Sequence, residues 1–232
     1  MRNHLLTAGL LLMLLAPAAA QRRDYLVTIK TPYGPMQAVL FDQTPKHKAN
    51  FVKLVKERFF DGILFHRVIP QFMIQGGDPK SKGAEADAPL GSGDVGYKVP
   101  AEFHPGLFHR RGALAAARDN NPEKASSGCQ FYIVQGKVYT DSLLAPQLKR
   151  AGRTIPEEQK NVYKTEGGTP WLDGNYTVFG QVISGMSVAD SIAAHPRNPA
   201  NRPLKDVPMS MTIKKISKKK IRRRYGYVFP AL

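Results

Sequence analysis

Residues 65–79 read Phe-His-Arg-Val-Ile-Pro-Gln-Phe-Met-Ile-Gln-Gly-Gly-Asp-Pro, and more chemistry is concentrated here than in any other stretch of the chain. Within it stand a guanidinium (Arg67), an aromatic ring (Phe72), a soft apolar side chain (Met73) and a carboxamide (Gln75). The β-rich spelling on either side predicts two strands, 63–68 and 72–75, joined at Pro70. Side chains two apart on a regular strand share a face, which puts Met73 beside Gln75. The same alternation turns His66 away from the Arg67 face, so His66 is expected as a hydrogen-bonded core histidine. No Asp, Glu, Cys or Ser nucleophile stands in the middle of the stretch. One cation, one amide and greasy side chains suit the binding of an apolar group beside a carbonyl. They do not suit proton abstraction or covalent catalysis.

Three more segments follow in order: Gly112-Ala-Leu-Ala-Ala-Ala-Arg118, Ser127-Gly-Cys-Gln-Phe-Tyr-Ile133 and Trp171-Leu-Asp-Gly-Asn-Tyr-Thr-Val-Phe-Gly180. Together with 65–79 they resemble the cyclophilin family of peptidyl-prolyl cis-trans isomerases, over residues 24–216 and with one insertion. The resemblance implies an all-β fold: an eight-stranded closed antiparallel β-barrel capped by two α-helices. It implies a reaction without metal or other cofactor, on proline-containing unfolded or nascent polypeptides. It assigns Arg67, Phe72 and Gln75 to catalysis. Phe72, Met73, Tyr132 and Leu172 match the pocket that holds the proline ring, and Gln75 matches the polar partner of Arg67. Ala117, Arg118 and Gln130 match the groove beside it, and Trp171 matches the rim residue that cyclosporin contacts. Two positions depart from the pattern. Tyr132 stands where phenylalanine is usual, so its hydroxyl must find a partner or reach solvent. Tyr176 occupies the place of a pocket-edge histidine. Arg118 replaces an asparagine of many eukaryotic members, and its backbone is expected to matter more than its side chain.

At 232 residues the chain is long enough for one well-buried domain. Residues 1–20 read as a signal peptide: Arg2 and His4, an apolar run from Leu5 to Leu15, then Ala-Pro-Ala-Ala-Ala before polar Gln21. Export to a periplasmic or extracellular compartment is the expectation. The single cysteine, Cys129, has no partner for a disulfide and reads as a small buried hydrophobe. Six scattered histidines show no metal-site spacing. The net charge is +16, and eight of the eleven residues from Lys214 to Arg224 are Lys or Arg. Such a run can meet anionic surfaces. Without a nucleic-acid motif, no specific nucleic acid is expected, and residues 217–232 read as a solvated basic tail.

Strands are expected at 25–30 and 36–41 as a hairpin, then at 97–99, 112–117, 130–134, 177–183 and 209–216. Thr44-Pro45 opens a helix with Thr44 as N-cap, and Ser187 begins another that runs to Ala194. Residues 76–96 read as a long surface loop. The family departure is 137–170, which carries two helical pieces, 143–150 and 154–164, the second with Thr154 as N-cap. This insertion is expected to tune substrate choice and to leave the chemistry to Arg67 and the pocket. The protein is expected to be a monomeric isomerase. The alternatives are a non-catalytic module that binds proline segments and a basic adaptor.

Overall fold

The computed structural model describes residues 23–230, so the signal-peptide reading of 1–20 lies outside the described residues. The chain opens with a hairpin, β1 (Arg23–Thr31) and β2 (Gly34–Leu40), followed by α1 (Pro45–Lys56). Next come β3 (Arg67–Ile69), β4 (Met73–Gly76), β5 (Lys98–Val99), β6 (Ala113–Ala116), β7 (Ser126–Ser127) and β8 (Phe131–Val134). The insertion folds as α2 (Asp141–Arg150) and α3 (Glu157–Thr165). After it stand β9 (Val178–Ser184), α4 (Met186–Ala193), β10 (Ser210–Ser217) and α5 (Lys218–Tyr225). Eight strands form one sheet in the order β10-β1-β2-β9-β6-β8-β4-β3, and β5 pairs with β7 apart from it. Every strand pairing is antiparallel. Among the described residues no helix is long and apolar enough to cross a membrane.

Period-two alternation sorts the strand residues onto two faces. Val27, Ile29, Ala38, Leu40, Ile74, Leu114, Phe131 and Ile133 join one core, together with Phe51, Val52, Leu54 and Val55 of α1 and Ala189, Ile192 and Ala193 of α4. Phe51 anchors it, with the rings of Phe60, Phe131 and Phe179 at 5.2, 5.7 and 5.3 Å. Leu26, Val39, Met73, Ala113, Ala115, Tyr132 and Val134 face the other way and form a second cluster. Met73, Tyr132, Phe72, Ala117, Leu172 and Tyr176, singled out from the sequence, gather on that second face.

Several expected elements shift, each for a physical reason. The strand expected at 63–68 divides. Its first part hydrogen-bonds to the segment before β10, with Gly62 N to Met209 O at 2.9 Å, Phe65 N to Val207 O at 2.9 Å and Met209 N to Ile63 O at 2.8 Å. Only its second part, β3, pairs with β4, across a turn in which Gln71 adopts a left-handed φ of 61°. Thr44 does not cap α1 with its side chain. The Glu102 carboxylate takes the Lys46 and His47 N–H groups instead, at 3.0 and 2.9 Å, supplying a cap from 55 residues away. α3 starts after Pro156, not at Thr154, with Glu157 and Glu158 in the first turn where the helix dipole favours acids. The basic segment after β10 is not a solvated tail. It forms α5, whose Ile221 is fully buried in the second cluster, and Tyr225, Tyr227 and Phe229 pack on the same cluster.

Candidate active site

Strand register draws a row across the second face. Arg67 lies opposite Gln75, Gln75 opposite Tyr132, and Tyr132 opposite Ala115. Long side chains from adjacent strands in such a row touch. Arg67 Nη1 donates to Gln75 Oε1 at 3.1 Å, and Gln75 Nε2 donates to Gln130 Oε1 at 3.0 Å. Gln130 is buried and donates through Nε2 to the Gly91 and Gly93 carbonyls at 2.9 and 2.8 Å. The loop 76–96 therefore serves as the back wall of this amide relay. Asp78 holds it in place, accepting from Lys80 N at 2.8 Å and from the Gly91 N–H. A Cβ on Gly93 would stand 1.9 Å from Asp78 Oδ1, so only glycine fits there.

Beside the relay lies an apolar floor. Met73 and Tyr132 are buried in the second cluster, and Phe72, Ala117, Leu172 and Tyr176 pack on it half-exposed. The Arg67 guanidinium sits 5.9 Å from the Phe72 ring centre. Burial pulls its pKa below the usual arginine value, and Tyr176 opposes that shift. Trp171 packs on Phe72 at 5.7 Å and closes the rim. All eleven residues singled out from the sequence thus border one surface. Arg118 is more engaged than expected. Its Nε donates to Asn175 O at 2.8 Å and its guanidinium stacks 4.8 Å from the Tyr176 ring, so its side chain shapes the groove edge.

The sequence reading missed what holds Tyr132. Its hydroxyl lies 2.9 Å from His109 Nε2, and His109 Nδ1 lies 2.8 Å from Asp173 Oδ1. Asp173 accepts, so Nδ1 carries a ring proton, and Nε2 on the far side of the ring pairs with the Tyr132 hydroxyl. Asp173 also accepts from His109 N at 2.8 Å and, through Oδ2, from the Tyr163 hydroxyl at 2.6 Å. Tyr163 belongs to α3, is fully buried, and has its phenol pushed far above the usual value by burial and by Asp173. Burial, with Tyr176 and Asp173 adding to it, raises the Tyr132 phenol too. A chain of hydrogen bonds thus runs from the pocket floor into the insertion. The one available signal was the tyrosine in place of phenylalanine at 132, which demanded a partner without saying where.

The insertion reaches the rim as well. Phe108 and Trp171 pack on the cluster built from Tyr139, Leu144, Leu148, Ile155 and Tyr163. A groove of about 470 Å³ opens between Trp171, Lys137, Tyr139, Gln147 and Arg150. Gly168 lets the segment return to the sheet, since a Cβ there would lie 2.2 Å from His109 O. His66 is buried as expected, but among the described residues neither ring nitrogen makes a good hydrogen bond. Burial lowers its pKa to about 4. Cys129 is buried, with its thiol pushed up to about 11, which suits a packing role.

Comparison with known proteins agrees with this geometry. A sequence model described as "Cyclophilin type peptidyl-prolyl cis-trans isomerase/CLD" matches residues 26–213. A putative peptidyl-prolyl cis-trans isomerase of Staphylococcus aureus is 39% identical over 188 residues, covering 81% of this chain and 90% of the relative. A putative bifunctional phosphatase/peptidyl-prolyl cis-trans isomerase of Streptococcus pyogenes is 42% identical over 184 residues. The match takes in 78% of this chain but only 37% of that longer protein. Among solved structures, a Cryptosporidium parvum cyclophilin-type isomerase superposes with a TM-score of 0.61 at 25% identity, covering 83% of this chain and 98% of that one. A second structure of that protein, determined in the presence of the dipeptide Ala-Pro, gives a TM-score of 0.60 at the same identity, covering 82% and 98%. The fold, the row of residues across its sheet and these relatives converge, and the chain belongs to the cyclophilin-type peptidyl-prolyl cis-trans isomerase family.

Proposed function

We propose that this chain is exported and accelerates exchange of Xaa-Pro bonds in unfolded or newly translocated polypeptides. In this reading Arg67, Phe72 and Gln75 act on the bond. Met73, Ala117, Arg118, Gln130, Tyr132, Trp171, Leu172 and Tyr176 hold the peptide. The supporting observation is a tethered guanidinium beside an apolar floor of proline-ring character. In the same reading the sheet closes into a barrel, and the hydrogen bonds between 62–65 and 207–209 support that closure. The pattern of residues 1–20 is the basis for export.

Rotation about the imide bond costs roughly 18–20 kcal/mol because amide resonance is lost. No proton has to move. As the bond twists, the proline nitrogen becomes pyramidal and gains a lone pair that the planar ground state lacks. A donor aimed at that lone pair binds the twisted state more tightly than the planar one, which is what speeds the reaction. Arg67 carries several N–H groups and stays charged. Gln75 occupies one of them at Nη1, which fixes the guanidinium plane and leaves other N–H groups for substrate. Gln130 in turn fixes the Gln75 amide, and two loop carbonyls fix Gln130. One charge-assisted hydrogen bond contributes about 1.5–3 kcal/mol, or roughly one to two factors of ten. The remaining acceleration comes from gripping the proline ring on Phe72, Met73 and Leu172 while the preceding carbonyl swings.

A protease-coupled assay on an Xaa-Pro tetrapeptide tests this. Arg67→Ala is expected to lower kcat/KM by on the order of tenfold to a hundredfold with the circular dichroism spectrum unchanged. Undiminished exchange in that variant would sink the mechanism. Cyclosporin is expected to inhibit in the same assay, because the Trp171 indole stands at the rim against Phe72. No inhibition at high micromolar drug would mean that α2 obstructs the rim.

A further inference from the structure

α5 is built to show its charge. Ser217 caps its start, its Oγ accepting from Lys220 N at 3.2 Å, and Gly226 ends it with a left-handed φ of 67°. Lys218, Ile221 and Tyr225 stand at helical spacing and turn toward the sheet. Ile221 is fully buried, Lys218 reaches Asp42 at 2.7 Å, and Tyr225 packs on the second cluster. The other positions, Lys219, Lys220 and Arg222–Arg224, are exposed, as are Lys214 and Lys215 on β10. Among the described residues none of these exposed cations forms an ion pair with an acid. An eight-residue helix is about 12 Å long, so this is a dense array held rigid by its own underside.

We propose that α5 and the end of β10 form a docking surface for the anionic headgroups of a phospholipid membrane. Two observations favour lipid over nucleic acid. First, the aromatic rings of this segment are committed inward. Tyr225, Tyr227 and Phe229 pack on the second cluster, and Lys218 lies over the Phe229 ring at 4.8 Å, so no free ring remains on which bases could stack. Second, the chain enters the fold at Arg23, directly opposite Ser217 in the β1–β10 ladder. While residues 1–20 are still attached, the apolar run Leu5–Leu15 is therefore joined to the fold beside the first turn of α5. Fully extended, the link from Leu15 to Arg23 spans at most about 28 Å. A bilayer engaged by that run is within reach of the α5 cations, which attract acidic lipid over roughly a Debye length.

Vesicle co-sedimentation of the full chain provides the test, with phosphatidylcholine vesicles set against vesicles containing phosphatidylglycerol. The apolar run contributes to both, so the anionic increment isolates the charged surface. A variant carrying Lys219→Gln, Lys220→Gln, Arg222→Gln and Arg223→Gln is expected to lose most of that increment, on the order of a thousandfold in affinity. Its tetrapeptide isomerase activity is expected to stay at the level of the parent, showing that the fold is intact. Added salt is expected to weaken the parent's anionic binding more than the variant's, which keeps only Lys214, Lys215 and Arg224 of the array. Equal binding of parent and variant to anionic vesicles would overturn the proposal. So would a duplex oligonucleotide that displaces the parent from vesicles at equal phosphate concentration.

Discussion

His66 is a histidine that folding keeps neutral. It is buried next to Arg67, its ring nitrogens make no good hydrogen bond among the described residues, and burial holds its pKa at about 4 against an ordinary 6.5. Asp78 pulls that value up, while Arg67 and Arg202 push it down. As pH falls from 7, the unfolded chain takes up a proton near 6.5 and the folded chain does not, so stability is lost through this window. The expected loss from this residue is about 2 kcal/mol between pH 7 and pH 5. His47, also depressed by burial against the pull of Glu102, acts in the same direction. Urea unfolding of His66→Phe is expected to show a flatter pH dependence than the parent between pH 7 and pH 5. Parallel slopes for the two proteins would mean that His66 titrates normally in the fold. At this scale the sequence spoke clearly about identity and poorly about partners. Arg67, Phe72, Met73 and Gln75 could be placed from alternation and resemblance because they lie within one hairpin. His109 and Asp173 could not, because 64 residues separate them and only the closed fold brings them to 2.8 Å.

Helices α2 and α3 change the standing of the insertion. Sequence reasoning kept chemistry outside it, since Arg67 and the pocket lie elsewhere in the chain. The structure instead sends Tyr163 of α3 to Asp173, and through His109 to the hydroxyl of Tyr132 on the pocket floor. Excising 139–168 would leave the Asp173 carboxylate buried without that donor. It is therefore expected to harm tetrapeptide activity as well as protein substrates. A gentler probe is Tyr163→Phe, which removes one donor and keeps the ring. Loss of that bond is expected to cost about 1–3 kcal/mol of stability and to lower kcat/KM modestly. In a Tyr132→Phe background the same change is expected to have a smaller kinetic effect, because the relay to the pocket is already cut. A coupling of at least about 0.5 kcal/mol in that double-mutant cycle supports transmission through His109. Strict additivity in kcat/KM would reduce Tyr163 to a packing residue. The sequence did carry the helices of the insertion, the second through the two glutamates in its first turn, while Thr140, the cap of α2, went unread. It did not carry their docking, which depends on tertiary contacts to Trp171 and Phe108.

The whole molecule was legible as a β-rich fold because hydrophobic alternation marks half-buried strands. Its C-terminal end was misread because charge dominates the composition of 214–224 and hides a single buried isoleucine. The ladder that joins Arg23–Lys30 to Ser210–Ser217 has a consequence for the order of events during synthesis. The first strand of the fold pairs on one side with its neighbour β2 and on the other with the last strand of the sheet. Until residue 217 has emerged, β1 presents an unpaired edge and the second face lacks the helix that covers it. Contacts that span the full length of a chain form late and slowly, since the long loop must close before they reward it. Under the proposed export, a chain threaded through a pore from its N-terminus therefore cannot complete its sheet part-way through. It stays threadable until the last strand arrives, and then seals first strand against last.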